Sequence, residues 1–324
     1  MHSTDVSSRP DPAAAWVVAP LASDDLARAA QVVRLAFATQ AGAPAPGEFW
    51  NDRDYVRGRW HAPHTAWFKA SEGERIAGVA CVTRRGSTGI VCPVAVHPDD
   101  WNRRVAKRLM RAVLERLDVW GVRHAGLFTF PNSAKHLALY QGFGFWPRTL
   151  TLVMARAPRR ARMADAVVRY GSEHGARERL KAECTAITNA IAPGLEVSGD
   201  LDAVFDQELG ATLVLPDAAG AAAFAVCHFG PRSEAGADVL YIRFAAVRPG
   251  AACARDFERL IAACEALALA EGLSKVMAGV NTAREQACRS LWSQGFKIEL
   301  SGITMHRGGP GYDRPEVHIL DDWR

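Results

Sequence analysis

The feature that most constrains this chain is an internal repeat. Two stretches of the sequence, 151 residues apart, carry the same residue type at six matched positions. The matched pairs are Val96 and Val247, Pro98 and Pro249, Leu109 and Leu260, Gly121 and Gly272, Gly144 and Gly295, and Phe145 and Phe296. Six agreements at one offset are hard to obtain by chance, so the sequence predicts a duplicated domain rather than a solenoid.

Strands and helices are predicted to alternate within the first copy. The stretch 89–97 is typical of a strand, and over 105–117 apolar residues recur every four positions, which predicts a helix with one buried face. A strand at 123–130 and a short helix come next. A last strand at 149–155 is predicted to close the copy.

Length and composition suit two domains of ordinary size. The chain has 324 residues, of which 49% are apolar and 23% charged. No apolar run approaches the roughly 20 residues that cross a bilayer, so we expect no membrane partner. The first residues lack the basic and then apolar pattern of a secretory signal. We therefore expect a cytoplasmic protein, a monomer or homodimer, with a disordered arm at 1–14.

Cysteine and charge content argue against several classes of protein. The seven cysteines form no CxxC pair, which argues against a disulfide framework and a zinc site, so no metal is expected. The net charge is +4, with basic residues concentrated at 103–111 and 156–162. So mild a total makes nucleic acid an unexpected partner, although the two clusters keep a nucleic-acid-binding module as an alternative.

A strand–turn–helix unit at 89–117 offers a site for an anion. The N-terminus of its helix presents unpaired N–H groups and a partial positive charge. Arg103, Arg104 and Lys107 add charge beside it. These features favour a phosphate, and a solvated basic helix face is the alternative.

Two segments of the first copy resemble a known family. "VAVHPDDWNRRVAKRLM" (94–110) and "FTFPNSAKHLALYQGFGF" (128–145) are similar to the acetyl-CoA-binding core of the GCN5-related N-acetyltransferases (GNAT). That family has a pyrophosphate loop of pattern Q/R-x-x-G-x-G/A, here aligned with 101–106. Two positions depart from the pattern: Trp101 replaces Gln or Arg, and Arg104 replaces the first Gly. An arginine there could crowd the loop or bring a guanidinium to the phosphates.

The resemblance implies a site for acetyl-CoA in the first copy. Tyr140 would be the general acid that protonates the leaving thiolate, and the amine would attack the thioester directly. The residues implied in cofactor binding are Val94, Ala95, Val96, Asn102, Arg103, Arg104, Val105, Ala106, Lys107 and Asn132. The general base stays open among Glu48, Asp52, His61 and His64. Cys92 lacks an obvious His partner in the sequence, which argues against a covalent acyl-enzyme.

The second copy is predicted to lack this chemistry. At the 151-residue offset, Asp256 and Glu258 replace Val105 and Lys107, and carboxylates repel a pyrophosphate. Leu291 occupies the position of Tyr140 and has no proton to give. We therefore expect a structural role for the second copy, while its tail could extend a sheet edge or cover the cleft.

The resemblance implies an α/β (mixed α+β) fold. We expect two tandem GNAT-like domains, each a mixed, mostly antiparallel twisted sheet flanked by helices. The predicted boundaries are the arm 1–14, the catalytic domain 15–155, a basic linker 156–164, the degenerate domain 165–306 and the tail 307–324. The expected function is N-acetyl transfer from acetyl-CoA to a small-molecule or protein amine. The alternative is a non-catalytic acyl-CoA-binding sensor or scaffold.

Overall fold

The computed structural model describes residues 16–50, 52–159, 167–171, 175–309 and 311–324. We call the described residues up to 159 the first unit and those from 167 the second unit. The helices are α1 (Leu26–Gln40), α2 (Arg57–His61), α3 (Val105–Val119), α4 (Ala134–Gln141), α5 (Ala176–Ile191), α6 (Ser198–Asp206), α7 (Cys253–Ala270) and α8 (Glu285–Ser293). No helix in these ranges is both long and apolar enough to cross a lipid bilayer.

The strands of both units join one twisted sheet. They are β1 (Val17–Pro20), β2 (Thr65–Glu72), β3 (Arg75–Arg85), β4 (Thr88–Val96), β5 (His124–Thr129), β6 (Trp146–Arg156), β7 (Val168–Arg169), β8 (Gly210–Asp217), β9 (Gly220–Gly230), β10 (Gly236–Val247), β11 (Lys275–Asn281), β12 (Lys297–Gly308) and β13 (Ile319–Leu320). The spatial order is β1-β2-β3-β4-β5-β12-β6-β11-β10-β9-β8-β7, with β13 beside β10. Of these pairings, only β4 with β5 and β10 with β11 are parallel, which confirms the predicted mixed, mostly antiparallel sheet.

The two units exchange their last strands. β12 of the second unit lies between β5 and β6 of the first unit and pairs with both. β6, in turn, pairs with β11 of the second unit over 151–156 and 276–281. The strand expected at 149–155 is therefore present, but within the described residues it pairs with strands of the second unit only. The order of strands is also symmetric, since β5 and β11 occupy matching places on either side of the exchanged pair.

Helix α3 forms the core of the first unit, as its apolar spacing predicts. Val105, Leu109, Val113 and Leu117 are each exposed by 1% or less, and they pack with residues of β2, β3 and β4. α7 repeats this arrangement in the second unit, with Phe257 and Leu260 fully buried. The matched positions found in the sequence thus include the buried residues of equivalent helices.

Several segments named from the sequence fall at the limits of the described residues. The arm 1–14 and residues 160–164 of the basic linker lie outside them. Arg156, the first linker residue, belongs to β6, and its guanidinium forms an ion pair with Glu265. The domain boundaries given above therefore stay predictions.

Candidate active site

A gap opens between two strands of the first unit. β4 and β5 pair for three residues, 88–90 with 124–126, and no pairing between them follows in the described residues. A bulge in β4 accompanies this separation, because Cys92 and Pro93 together face a single residue of β3. Beyond the bulge, one edge of β4 still pairs with β3, whereas the opposite edge of β4 faces the gap.

The predicted residues Val94, Ala95 and Val96 follow the bulge and lie beside the gap. His97 donates its backbone N–H to Ala77 of β3. Since hydrogen-bonding direction alternates along a strand, Ala95 also faces β3, whereas the polar groups of Val94 and Val96 face the gap. The gap therefore has backbone donors and acceptors along one side.

The loop after β4 has an unusual backbone. Asn102 and Arg104 both adopt left-handed conformations, with φ of 65° and 60°. This explains why the family pattern has glycine at the position of Arg104, since glycine adopts positive φ without steric cost. Arg104 is also the N-cap of α3 and makes no side-chain cap. The amides of Val105 and Ala106 belong to the first helical turn, where N–H groups have no partner within the helix.

The basic residues of the loop serve different purposes. Arg103 pairs with the buried carboxylate of Asp100 at 2.7 Å and lies over the ring of Trp16 at 4.8 Å. These contacts hold the loop against Trp16, which directly precedes β1, the strand at the outer edge of the first unit. Lys107 is exposed and forms no ion pair within the described part of the chain, so among the predicted cations it has the most freedom to meet a ligand.

Trp101 occupies the mouth of the gap. Its indole N–H donates to the carbonyl of Val96 at 2.8 Å, and the ammonium of Lys135 lies 4.1 Å from its ring centroid. The residue that departs from the family pattern therefore links the end of β4 to the start of α4.

Tyr140 lies near the end of α4 and packs in the core beside α3. Burial, with a smaller contribution from the nearby Cys92, raises its pKa, so its hydroxyl keeps the proton that a general acid requires. Burial likewise raises the pKa of the Cys92 thiol, which opposes its use as a nucleophile. Asn132 is exposed in the turn that precedes α4.

Arg59 connects the gap to the second unit, and nothing in the local sequence indicated this. Its Nη1 donates to the carbonyl of Cys92 at 2.6 Å. Its Nε and Nη2 donate to both carboxylate oxygens of Glu234 at 2.6 and 2.8 Å. Of the four candidate bases, His64 lies in this region, 3.7 Å from Asp200, whereas Asp52 accepts from the amide of Ala237.

The corresponding gap in the second unit is filled by the tail. β10 and β11 pair over 239–242 and 275–278. Where they part, β13 pairs with β10, Ile319 opposite Ala246 and Leu320 opposite Ala245. The tail therefore adds a strand to the free edge of β10 and by doing so covers the cleft of the second unit, which combines the two roles left open by its sequence.

Arg284 holds the tail in that gap. It is fully buried, and its two terminal nitrogens donate to the carbonyls of Ile319 and Asp321, both at 2.7 Å. Asp256 pairs with arginines of its own helix, and Leu291 is fully buried at the position of Tyr140. The tail thus lies where the strands of the second unit separate.

Comparison with known proteins identifies the first unit. Residues 35–145 match the family model described as "Acetyltransferase (GNAT) family". Residues 35–145 of the first unit are a GNAT domain. This confirms the family and the fold class indicated by the sequence, whereas no curated protein sequence matches the chain.

Solved structures share the arrangement of the whole chain. A presumed acetyltransferase from Pyrococcus horikoshii has a TM-score of 0.68 at 12% identity, covering 100% of this chain and 98% of that one. A GCN5-related N-acetyltransferase from Sphaerobacter thermophilus has a TM-score of 0.57 at 16% identity, covering 94% and 99%. At such identities the likeness shows the fold, and it extends over both units.

Proposed function

We propose that the first unit binds acetyl-CoA and transfers its acetyl group directly to an amine. The observation that carries this proposal is the separation of β4 from β5, with a positively charged helix N-terminus at its mouth. The second unit would not bind acetyl-CoA, because β13 occupies the equivalent space.

The residues present fit the proposed ligand. The extended arm of CoA would hydrogen-bond to the free edge of β4 at Val94 and Val96, as an added strand does. The pyrophosphate would meet the first amides of α3 and the ammonium of Lys107. The side chain of Arg104 takes up space that a glycine would leave free. The left-handed backbone of Arg104 nevertheless has the shape that the loop requires.

Three groups would share the chemistry. The nitrogen of the neutral amine attacks the thioester carbon, while backbone N–H groups of β4 stabilise the developing negative charge on oxygen. The carbon–sulfur bond then breaks, and Tyr140 gives its proton to the thiolate. The nitrogen loses a proton to solvent or to a nearby base, and the Tyr140 phenolate takes up a proton from solvent, which restores it.

Calorimetry and a turnover assay test this function. Titration of the full chain with acetyl-CoA should give about one site per chain, and two equivalent sites would contradict the proposal. Release of free CoA thiol should require an added amine. Binding of acetyl-CoA without turnover on any amine would instead favour the sensor or scaffold.

A further inference from the structure

Arg59 of α2 makes three hydrogen bonds that join the second unit to the strand beside the gap. Its Nη1 donates to the carbonyl of Cys92 at 2.6 Å. Its Nε and Nη2 donate to the two carboxylate oxygens of Glu234 at 2.6 and 2.8 Å. The side chains of this ion pair are exposed by only 8% and 6%. Since charge-assisted bonds to both oxygens fix its orientation, the guanidinium holds the carbonyl of Cys92 in one place.

The carbonyl of Cys92 lies at the bulge of β4. There Cys92 and Pro93 together face a single residue of β3. A bulge interrupts the regular pairing of the two strands, and a proline has no N–H to donate. β3 therefore holds this part of β4 less firmly than the rest of the strand. Arg59 supplies a hydrogen bond at the point where the pairing is interrupted.

Pro93 links the position of that carbonyl to the direction of the next amide. Because peptide groups are planar, only the φ and ψ angles of Pro93 separate the carbonyl of Cys92 from the N–H of Val94. The proline ring fixes φ near about −65°, which leaves ψ as the one free rotation. The polar groups of Val94 face the gap, where the thioester would lie. A displacement of the Cys92 carbonyl would therefore redirect the first N–H group beyond the bulge.

Glu234 approaches Arg59 from the second unit. It lies between β9 and β10, and its Oε2 is 3.6 Å from Nε of Arg243 in β10. The carboxylate is thus held by the sheet of the second unit as well as by Arg59. A continuous series of polar contacts runs from β10, through Glu234 and Arg59, to the bulge of β4.

We propose that Arg59 and Glu234 are positioning residues for acetyl transfer, because together they direct the N–H of Val94 at the thioester oxygen. They do so by holding the carbonyl of Cys92. The directed N–H polarises the thioester and stabilises the negative charge that develops when the amine attacks. The second unit, whose own gap holds the tail, therefore contributes to the reaction through Glu234. This inference rests on the proposed acetyl transfer.

A second buried ion pair between the units provides a matched control. Arg156 of β6 pairs with Glu265 of α7, and their side chains are exposed by 8% and 3%. Arg156 also donates to the carbonyl of Gln294 in the second unit. Arg59→Met and Arg156→Met therefore each remove a buried cation between the units. Of the two variants, Arg59→Met is the one that releases the carbonyl of Cys92.

Infrared spectroscopy of bound [1-13C]acetyl-CoA tests the direction of the Val94 N–H without any amine. A hydrogen bond to a carbonyl oxygen weakens the C=O bond and lowers its stretching frequency. The thioester band should therefore lie lower on the full chain than in free acetyl-CoA. It should return towards the free value in Arg59→Met and stay at the wild-type position in Arg156→Met. A band at the same position in wild type and Arg59→Met would overturn the inference.

Steady-state kinetics give a second measurement, with the amine that reacts fastest in the turnover assay. Arg59→Met should lower kcat at least roughly 10-fold, since a misdirected donor loses part of the about 10²–10³-fold effect of a missing one. Acetyl-CoA affinity and KM for the amine should stay close to wild type. Arg156→Met should lose stability but keep its kcat. An equal fall in kcat for both variants would mean that the ion pair only joins the units, against the inference.

Glu234→Gln is the milder variant, in case Arg59→Met does not fold. It keeps the size of the side chain and one oxygen that can accept from Arg59, so the thioester band should move in the same direction by less. Glu265→Gln is its control and should leave the band in place. Failure of acetyl-CoA to bind to the unmodified chain would refute the proposed transfer and this inference with it. Binding with an unshifted band would refute the inference alone.

Discussion

The ion pair between Arg59 and Glu234 gives a sharp test of how the two units are joined. The two side chains come from different units and are exposed by only 8% and 6%. Replacing one of them, by Glu234→Leu or Arg59→Met, leaves the other charge buried and without this partner. Each single variant should therefore lose stability, and the double variant should recover part of that loss.

The pKa of Glu234 indicates the size of the effect. Burial raises the pKa of this carboxyl, but Arg59 and then Arg243 outweigh burial and lower it from 4.5 to about 2. A difference of about 2.5 pH units corresponds to about 3 kcal/mol of stability. Removing one member of a buried pair generally costs about 3–5 kcal/mol, which agrees with that figure.

Urea unfolding of the four proteins forms a double-mutant cycle. We expect each single variant to lose about 3 kcal/mol and the pair to show a coupling of about 2 kcal/mol or more. The contribution of Glu234 is complete above pH 4.5 and is lost as pH falls towards 2, so wild type and Glu234→Leu should converge in acid. Losses that add within about 0.5 kcal/mol, or a difference that stays constant with pH, would refute the reasoning.

Three further variants test the site and its surroundings. Tyr140→Phe should lower kcat by roughly 10²-fold at unchanged acetyl-CoA affinity, and normal turnover would mean that the ring only packs. Lys107→Glu should weaken acetyl-CoA binding in calorimetry without lowering the unfolding midpoint, since exposed substitutions cost little. A Cβ at Gly126 would lie 2.5 Å from the ring of Trp323, so Gly126→Ala should cost about 1–3 kcal/mol. Gly47→Ala meets no atom within 4 Å and is the control for this loss in urea unfolding.

Local patterns in the sequence were enough to predict individual strands and helices. The four-residue spacing of apolar side chains in α3 predicts its buried face, because one helix face meets one core. Even the unusual backbone at Arg104 could be suspected, since the family places glycine there and glycine tolerates positive φ. The repeat likewise marks equivalent elements, because the same residues pack in the same places.

Contacts between residues far apart in the sequence could not be predicted from such local patterns. The alternation of residues in β6 predicts a strand but not its neighbours, since β11 and β12 offer the same backbone groups as any other strand. Arg59 and Glu234 are 175 residues apart, and neither lies in a pattern that marks a buried pair. The strand-like residues at the end of the tail were visible, but the gap that receives them arises only when β10 and β11 separate.

The exchange of β6 and β12 has a topological consequence. Each unit's part of the sheet is completed by a strand of the other unit. A protease that cut the chain between Arg156 and Val168 would therefore leave two interlocked fragments, which could part only if β-strands in the middle of the sheet were pulled out of it. Once the units have folded, the connection between them is therefore not needed to hold them together. Its role is to keep the two halves of the chain close to each other before they fold.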